Sequence, residues 1–510
     1  METAGSLIRR PFLIITPGCL LFMEDFKMNY GNLTLLTDLY ELTMMQGYFK
    51  TNAREKVVFD VFYRKNPCNG AYAICCGLQQ AIEYVEDLHF SDEDIEYLRS
   101  TGFFMEDFLE YLRNFKFTGD IYAIPEGTIV FPREPLVKVV APIMEAQLVE
   151  TALLTIINHQ SLIATKSARV VHEARGGVME FGLRRAQGPD AGIYGARAAV
   201  IAGCVGTSNV LAGKMFDIPV KGTHAHSWIM SFKTELEAFR TYAELFPDNC
   251  LLLVDTYDTI QGVQHAIQIF SEMREKGIHS KLYGIRLDSG DLAYLTKKAR
   301  VMLDEAGFQD AVISASSDLD EYLINSLMNQ GAQITSWGVG TNMITSKDWP
   351  SFGGVYKLAC IYDENGRAIP KIKVSENIEK VTNPGNKRVL RLYDKETGKI
   401  RADLIILDDE VYDESQNLTI FDPLSTWKRT TLAGGSYRIR ELLVPVIKNG
   451  KVVYTSPSVM EIRDYCLREQ ETLWEESRRL YNPQTIYVDL SQKLWDLKNS
   501  LLDKVHNYKD

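Results

Sequence analysis

The sequence predicts an α/β protein built around an α/β barrel, and three observations lead there. Between residues 178 and 340, short apolar runs end in polar residues and lead into amphipathic helices, again and again. Alternation at that spacing builds a parallel sheet with helices outside it, and this many units points to a closed or nearly closed barrel. An open doubly wound sheet is the alternative, but it would normally offer an early Gly-x-Gly-x-x-Gly turn, and none follows a strand here.

Residues 1–30 read as a disordered extension. Arg9-Arg10 and the apolar run after it resemble a signal peptide, yet Pro17-Gly18 interrupts the run, no small-x-small cleavage site follows, and Met28 is a natural alternative start. Residues 31–145 read as an α+β domain. Thr37-Asp38 caps a helix through Met44-Met45, and Val57–Arg64 is a strand that turns at Asn66-Pro67-Cys68-Asn69-Gly70 into a second strand, Tyr72–Cys76. A long helix over about Glu145–Ala174, stopping at Gly176-Gly177, opens the barrel domain of residues 146–365.

The barrel strands are read as Val178–Gly182, Val220–Thr223, Cys250–Asp255, Leu282–Asp288, Ala311–Ser316 and Ile334–Gly340. One intervening helix shows Val263, Ile267, Phe270 and Met273 on one side and ends at Gly277; another opens at Ser317-Asp318, shows Leu319, Leu323, Ile324 and Leu327, and stops at Gly331. Residues 366–510 form a further region, with strand-like runs Asp403–Leu407, Leu442–Val446 and Val452–Tyr454 and a charged helix over roughly Ser456–Arg479.

Composition narrows the function. A formal charge of −11, from 56 Lys+Arg against 67 Asp+Glu, argues against nonspecific binding to nucleic acid or an anionic membrane. The eight cysteines show no Cys-x-x-Cys pair, so neither a zinc ribbon nor a disulfide framework is suggested and a reducing cytoplasm fits. No apolar stretch reaches membrane-spanning length.

Chemistry in such a barrel gathers at the carboxyl ends of the strands. Those ends carry Glu180-Phe181-Gly182 with Arg184 and Arg185, then Thr223-His224-Ala225-His226, Asp255, Arg286 with Asp288-Ser289-Gly290-Asp291, Ser316-Ser317 and Gly338-Val339-Gly340. Taken singly, the arginines could be surface ion pairs, the Asp288–Asp291 stretch a helix cap, and the glycines an ordinary turn. Together they suit an anionic, phosphorylated substrate with a metal ion.

His224 and His226, if on a strand end, would point the same way. That is a zinc arrangement of metal-dependent hydrolases, but such a site needs further ligands, and the other histidines (89, 159, 172, 265, 279 and 506) do not lie just after barrel strands. The other reading makes one histidine a nucleophile or acid/base group facing phosphate. Gly213-Lys214 is followed by Met215, so it is not a nucleotide-binding P-loop.

The stretches LLTDLYELTMMQGYF, VFDVFYRKNPCNGAYAI, MEFGLRRAQGPDAG, VGTSNVLAGK, GTHAHSW, LLLVDTYDT, GIRLDSGDL, WGVGTN and GGVYKLA closely resemble the nicotinate phosphoribosyltransferase family, over about Leu33 through Asn386. The resemblance implies a type II phosphoribosyltransferase fold, nicotinate and phosphoribosyl pyrophosphate as substrates, ATP as co-substrate with coupled hydrolysis, Mg²⁺, and a homodimer with shared active sites in NAD salvage. It makes His226 the group phosphorylated by ATP, with His224 at a variable position. Thr223 and Arg286 match positions at the nicotinate site, Phe181 an aromatic that stacks on the pyridine, and Tyr40 a ring supplied by the partner subunit. Arg184, Gly338, Gly340 and Thr382 fall where the substrate phosphates are held; Asp255 and Asp288 are candidates for ribose or metal contacts. Nicotinamide-using relatives carry an aspartate where this chain has Ser208, and an aspartate would repel a carboxylate that a serine can donate to.

Overall fold

The computed structural model describes residues 32–377, 380–423 and 425–507; the expected extension at residues 1–30 lies outside them. Two sheets and one long helix position everything that follows.

The first sheet has seven strands in the order Ala368–Pro370, Gly354–Tyr362, Lys56–Tyr63, Val137–Pro142, Asp120–Ala123, Val444–Lys448 and Lys451–Val452. All of its pairings are antiparallel. One of its inner strands, KVVFDVFY (Lys56–Tyr63), is buried along nearly its whole length, as a strand covered on both faces must be. The sheet draws strands from each of the stretches 31–145, 146–365 and 366–510, so these interleave in space. A four-stranded sheet (Tyr437–Glu441, Lys387–Asp394, Ile400–Leu407, Tyr487–Leu490) and a hairpin of Leu418–Phe421 with Arg429–Leu432 complete the C-terminal part.

The expected long helix is broken once, into Ile143–Leu148 and Glu150–Ala174. Its second piece is buried on most sides, and two of its cations reach across to the barrel. Lys166 Nζ lies 2.7 Å from Glu321 Oε2, and Arg169 Nε lies 3.0 Å from Glu321 Oε1, with Lys166 and Glu321 both fully buried. Removing one partner would strand a buried charge, so this triad ties the helix firmly to the Glu321–Asn329 helix.

The second sheet is parallel and curled, in the order Gly206–Thr207, Gly177–Glu180, Ser336–Val339, Val312–Ala315, Tyr283–Leu287, Cys250–Leu253. Its last strand in the chain, Ser336–Val339, pairs with its first, Gly177–Glu180. Of the expected closed or nearly closed barrel, the structure shows a curled half-barrel, open between Gly206–Thr207 and Cys250–Leu253. The expected strand Val220–Thr223 survives only as a single parallel bridge from Thr207 to Val220, and no ladder runs on to Cys250–Leu253. The reason is local: after Val220 the chain makes no further backbone ladder among the described residues before the helix at His226, and side chains span the gap. Asn249 Nδ2 donates to Gly222 O at 3.3 Å, and Leu253 N donates to the imidazole Nε2 of His224 at 3.3 Å. Among the described residues, no helix is long and apolar enough to cross a membrane.

Candidate active site

The two histidines diverge. His224 is 8% exposed, packed edge-on against Tyr242 with ring centroids 4.6 Å apart, and its Nε2 accepts from the Leu253 backbone. Burial, with smaller contributions from the charges of Arg286 and His226, pushes its pKa down to about 4, so the ring is neutral at pH 7. His226 opens the short helix His226–Met230 and its side chain is 40% exposed at the sheet's carboxyl edge. Its Nδ1 is 3.0 Å from Thr256 Oγ1, and its Nε2 lies 3.8 Å from Asp288 Oδ2. Alternation along a strand does not apply to coil entering a helix, and a zinc pair is not formed by two rings facing different groups.

Around His226 the strand ends interlock. Asp255 follows the Cys250–Leu253 strand, and its Oδ2 accepts from the backbone N of Asp288 at 2.8 Å and from Ser289 Oγ at 2.7 Å. Its Oδ1 is buried with no protein donor. Asp288 in turn accepts from Ser316 Oγ. Ser317, beside it, has φ 134°, a conformation unfavourable for a side-chain-bearing residue and of the sort concentrated at functional sites. The bland reading of the Asp288–Asp291 stretch holds for Asp291, which caps the Leu292–Glu305 helix by accepting from Tyr294 N at 3.0 Å.

Arg286 sits between these groups and His224. Its guanidinium donates to His224 O at 2.7 Å and to Ser316 Oγ at 3.4 Å, while its Nε is buried with no protein acceptor. Burial is the main influence lowering its pKa, with Arg184 adding like charge and Asp288 and Asp255 opposing. The ring of Phe181 lies over Gly338: a Cβ on that glycine would come within 2.5 Å of Phe181 Cδ2 and 2.6 Å of its Cε2, with Ser316 Cβ at 3.5 Å. Gly338 thus gives the Phe181 ring its seat.

The structure therefore brings Phe181, Thr223, His226, Asp255, Arg286, Asp288 and Gly338 to one edge of the parallel sheet. Arg184, in the exposed turn Leu183–Arg185, is close enough for its charge to reach Arg286, and Ser208 directly follows the Gly206–Thr207 strand. Gly340 backs onto the Phe181 carbonyl. Two residues lie elsewhere. Thr382 is buried and accepts from Lys373 N at 2.9 Å in the loop beside the seven-stranded sheet. Tyr40, on the Leu39–Lys50 helix, is 45% exposed, and partial burial together with the nearby Glu150 carboxylate raises its pKa. The sequence reading missed Thr256; its place three residues past a buried strand, beside Asp255, was the available signal.

A curled parallel sheet bearing an arginine, two carboxylates and an exposed histidine at its carboxyl edge defines a phosphoribosyltransferase of the type II class. The nicotinate-nucleotide pyrophosphorylase of Pyrococcus furiosus shares this fold, with a TM-score of 0.66 at 23% identity over 86% of this chain and 96% of that one. Family models then match nearly end to end: the nicotinate phosphoribosyltransferase N-terminal domain over residues 35–158, the family itself over 177–386 and its C-terminal domain over 386–498. The chain belongs to the nicotinate phosphoribosyltransferase family and is an enzyme of that activity. It is 44% identical to the nicotinate phosphoribosyltransferase of Bacillus subtilis (strain 168), covering 96% of this chain and 98% of the relative. The crystal structure of human nicotinic acid phosphoribosyltransferase superposes with a TM-score of 0.78 at 28% identity, covering 91% of this chain and 99% of that one.

These findings correct one expectation. What they support is transfer of the phosphoribosyl group to nicotinate, giving nicotinate mononucleotide and pyrophosphate; they do not establish the expected coupling to ATP hydrolysis. The reaction is therefore written without ATP.

Proposed function

We propose that nicotinate and phosphoribosyl pyrophosphate meet at the edge formed by Phe181, Ser208, Thr223, Arg286, Asp255 and Asp288. The observation that carries this reading is Arg286: a half-buried guanidinium that donates to His224 O and Ser316 Oγ, with its buried Nε left without a protein acceptor. A buried cationic donor in that state calls for an anionic acceptor, and the carboxylate of nicotinate is one. Phe181 offers a ring face beside it, and Ser208 and Thr223 offer hydroxyls.

Cleavage of the bond from the anomeric carbon to pyrophosphate develops positive charge on the ribose and negative charge on the leaving group. Asp255 faces the first need: its free Oδ1 is a fixed negative atom in a low-dielectric edge, able to stabilise the ribosyl cation. Arg184, and His226 through its Nε2–H, face the second by donating to phosphate oxygens. Among the described residues no group of three or more His, Cys, Asp or Glu could hold a metal ion. The donors suit Mg²⁺ held by one or two carboxylates, Asp255 and Asp288, together with the substrate's own oxygens. Mg²⁺ so bound would offset pyrophosphate charge.

The same reading assigns a second copy of the chain to the other side of the site. Leu36, Leu39, Tyr40 and Met44 are all exposed around the start of the Leu39–Lys50 helix, an apolar patch of the sort that marks an interface. Tyr40 on that patch would complete the partner's pyridine site. The test of the whole is the nicotinate preference of Arg286→Gln.

A further inference from the structure

Glu180 is fully buried, yet what holds it is two neutral donors. Its Oε2 accepts from Thr207 Oγ1 at 2.6 Å, and its Oε1 accepts from the backbone N of Gly182. Successive strand residues face opposite ways. Phe181 turns its ring to the sheet edge over Gly338, whereas the Glu180 carboxylate lies beside the side chain of Ile344, away from that edge: a Cβ on Gly182 would meet both, at 2.4 Å and 2.8 Å. Glu180 therefore does not touch the substrates.

What it touches are the supports of two residues that the proposed function places at the pyridine. Gly182 is the turn directly after Phe181. Thr207 directly precedes Ser208, and the Thr207 hydroxyl that donates to Glu180 also accepts from Asn209 N at 2.9 Å, bracketing Ser208 from both sides. Ser208 N itself donates to Glu180 O at 2.9 Å. Asn209 is pinned in turn, its Oδ1 capping the Val210–Phe216 helix through Ala212 N at 3.1 Å and its Nδ2 donating to Gly192 O at 3.1 Å. One buried carboxylate thus sets the spacing between the end of Gly177–Glu180 and the end of Gly206–Thr207.

We propose that the Glu180–Thr207 hydrogen bond is a positioning device for nicotinate recognition, holding Ser208 and Phe181 at a fixed separation across two neighbouring strand ends. The proposal rests on the reading of Phe181 and Ser208 as pyridine-site residues. Because misplacing a binding group by a fraction of an ångström weakens binding without removing it, the effect falls on nicotinate and not on the other substrate.

Steady-state kinetics of Thr207→Val, Thr207→Ser, Glu180→Gln and Phe181→Ala test it. Thr207→Val keeps the shape and loses the hydroxyl; it is expected to raise KM for nicotinate at least about fivefold, with kcat and KM for phosphoribosyl pyrophosphate within about twofold. Thr207→Ser restores the donor and should return KM for nicotinate to within about twofold of wild type. Glu180→Gln offers one oxygen to two donors and should move the same KM upward by less, which keeps the question open to measurement if Thr207→Val does not fold. Equal losses in kcat and both KM values, or no change in either variant, would overturn the positioning role. If Phe181→Ala leaves KM for nicotinate unchanged, the site reading falls and the proposal with it. A Phe181→Ala effect without a Thr207 or Glu180 effect overturns the proposal alone.

Discussion

His224 and Leu253 stand across the break in the parallel sheet, joined by a bond from the Leu253 backbone N–H to the imidazole Nε2 at 3.3 Å. A side chain here does what a strand-to-strand ladder does elsewhere in the sheet, and it does so only while Nε2 is unprotonated.

That fixes the sign of a pH effect. The folded-state pKa of about 4 lies below the ordinary 6.5, so between those values the unfolded chain binds the proton and the folded one does not. Burial is the main cause of that shift, so the stability tied to a neutral His224 is fully present above pH 6.5 and is lost as the pH falls toward 4, and protonation of Nε2 removes the acceptor for Leu253 N–H in the same range. His224→Gln keeps an acceptor that does not titrate. Melting temperatures from pH 7.5 down to about 4.5 should fall less steeply in the variant than in wild type; parallel curves would show that His224 does not hold the gap.

Gly338→Ala is expected to displace the Phe181 ring, because the added carbon meets it at 2.5 Å. Crowding of this kind costs about 1–3 kcal/mol, and the shifted ring should raise KM for nicotinate more than KM for phosphoribosyl pyrophosphate. Both KM values and a thermal melt read this out.

A shared site predicts complementation. Tyr40→Ala and His226→Ala subunits, each inactive alone, should regain part of the activity when mixed under conditions where subunits exchange, since a mixed dimer holds one intact site. Activity that stays absent despite demonstrated exchange would mean that each chain builds its own site.

Ser208→Asp adds a carboxylate beside the pyridine substituent. Use of nicotinate should weaken by at least about tenfold, equivalent to about 1.4 kcal/mol, while use of nicotinamide suffers less. The check is kcat/KM for both substrates in both proteins.

How much of this was legible in the sequence follows from where the information lies. Strand ends were readable because each strand is a short apolar run closed by a polar residue, so Asp255, Arg286 and Asp288 could be placed at one edge by pattern alone. The two-residue strand Gly206–Thr207 was missed, since so short a strand carries no periodicity and is held by its neighbours. His224 and His226 were given one direction because a strand was extended through them; the turn into a helix at His226 depends on the gap beyond Val220, a tertiary feature. Glu180 read as an acid at a strand end, and only the register Glu180 to Thr207 shows why it is buried.

The central claim is that Arg286 reads the nicotinate carboxylate, and its most direct test is the ratio of kcat/KM for nicotinate to that for nicotinamide in wild type and in Arg286→Gln. A charge-assisted hydrogen bond from a guanidinium is worth about 1.5–3 kcal/mol, so the ratio should fall by about 10- to 100-fold in the variant, mostly through nicotinate. A ratio that does not change, in a variant that folds and still turns over, would contradict the account.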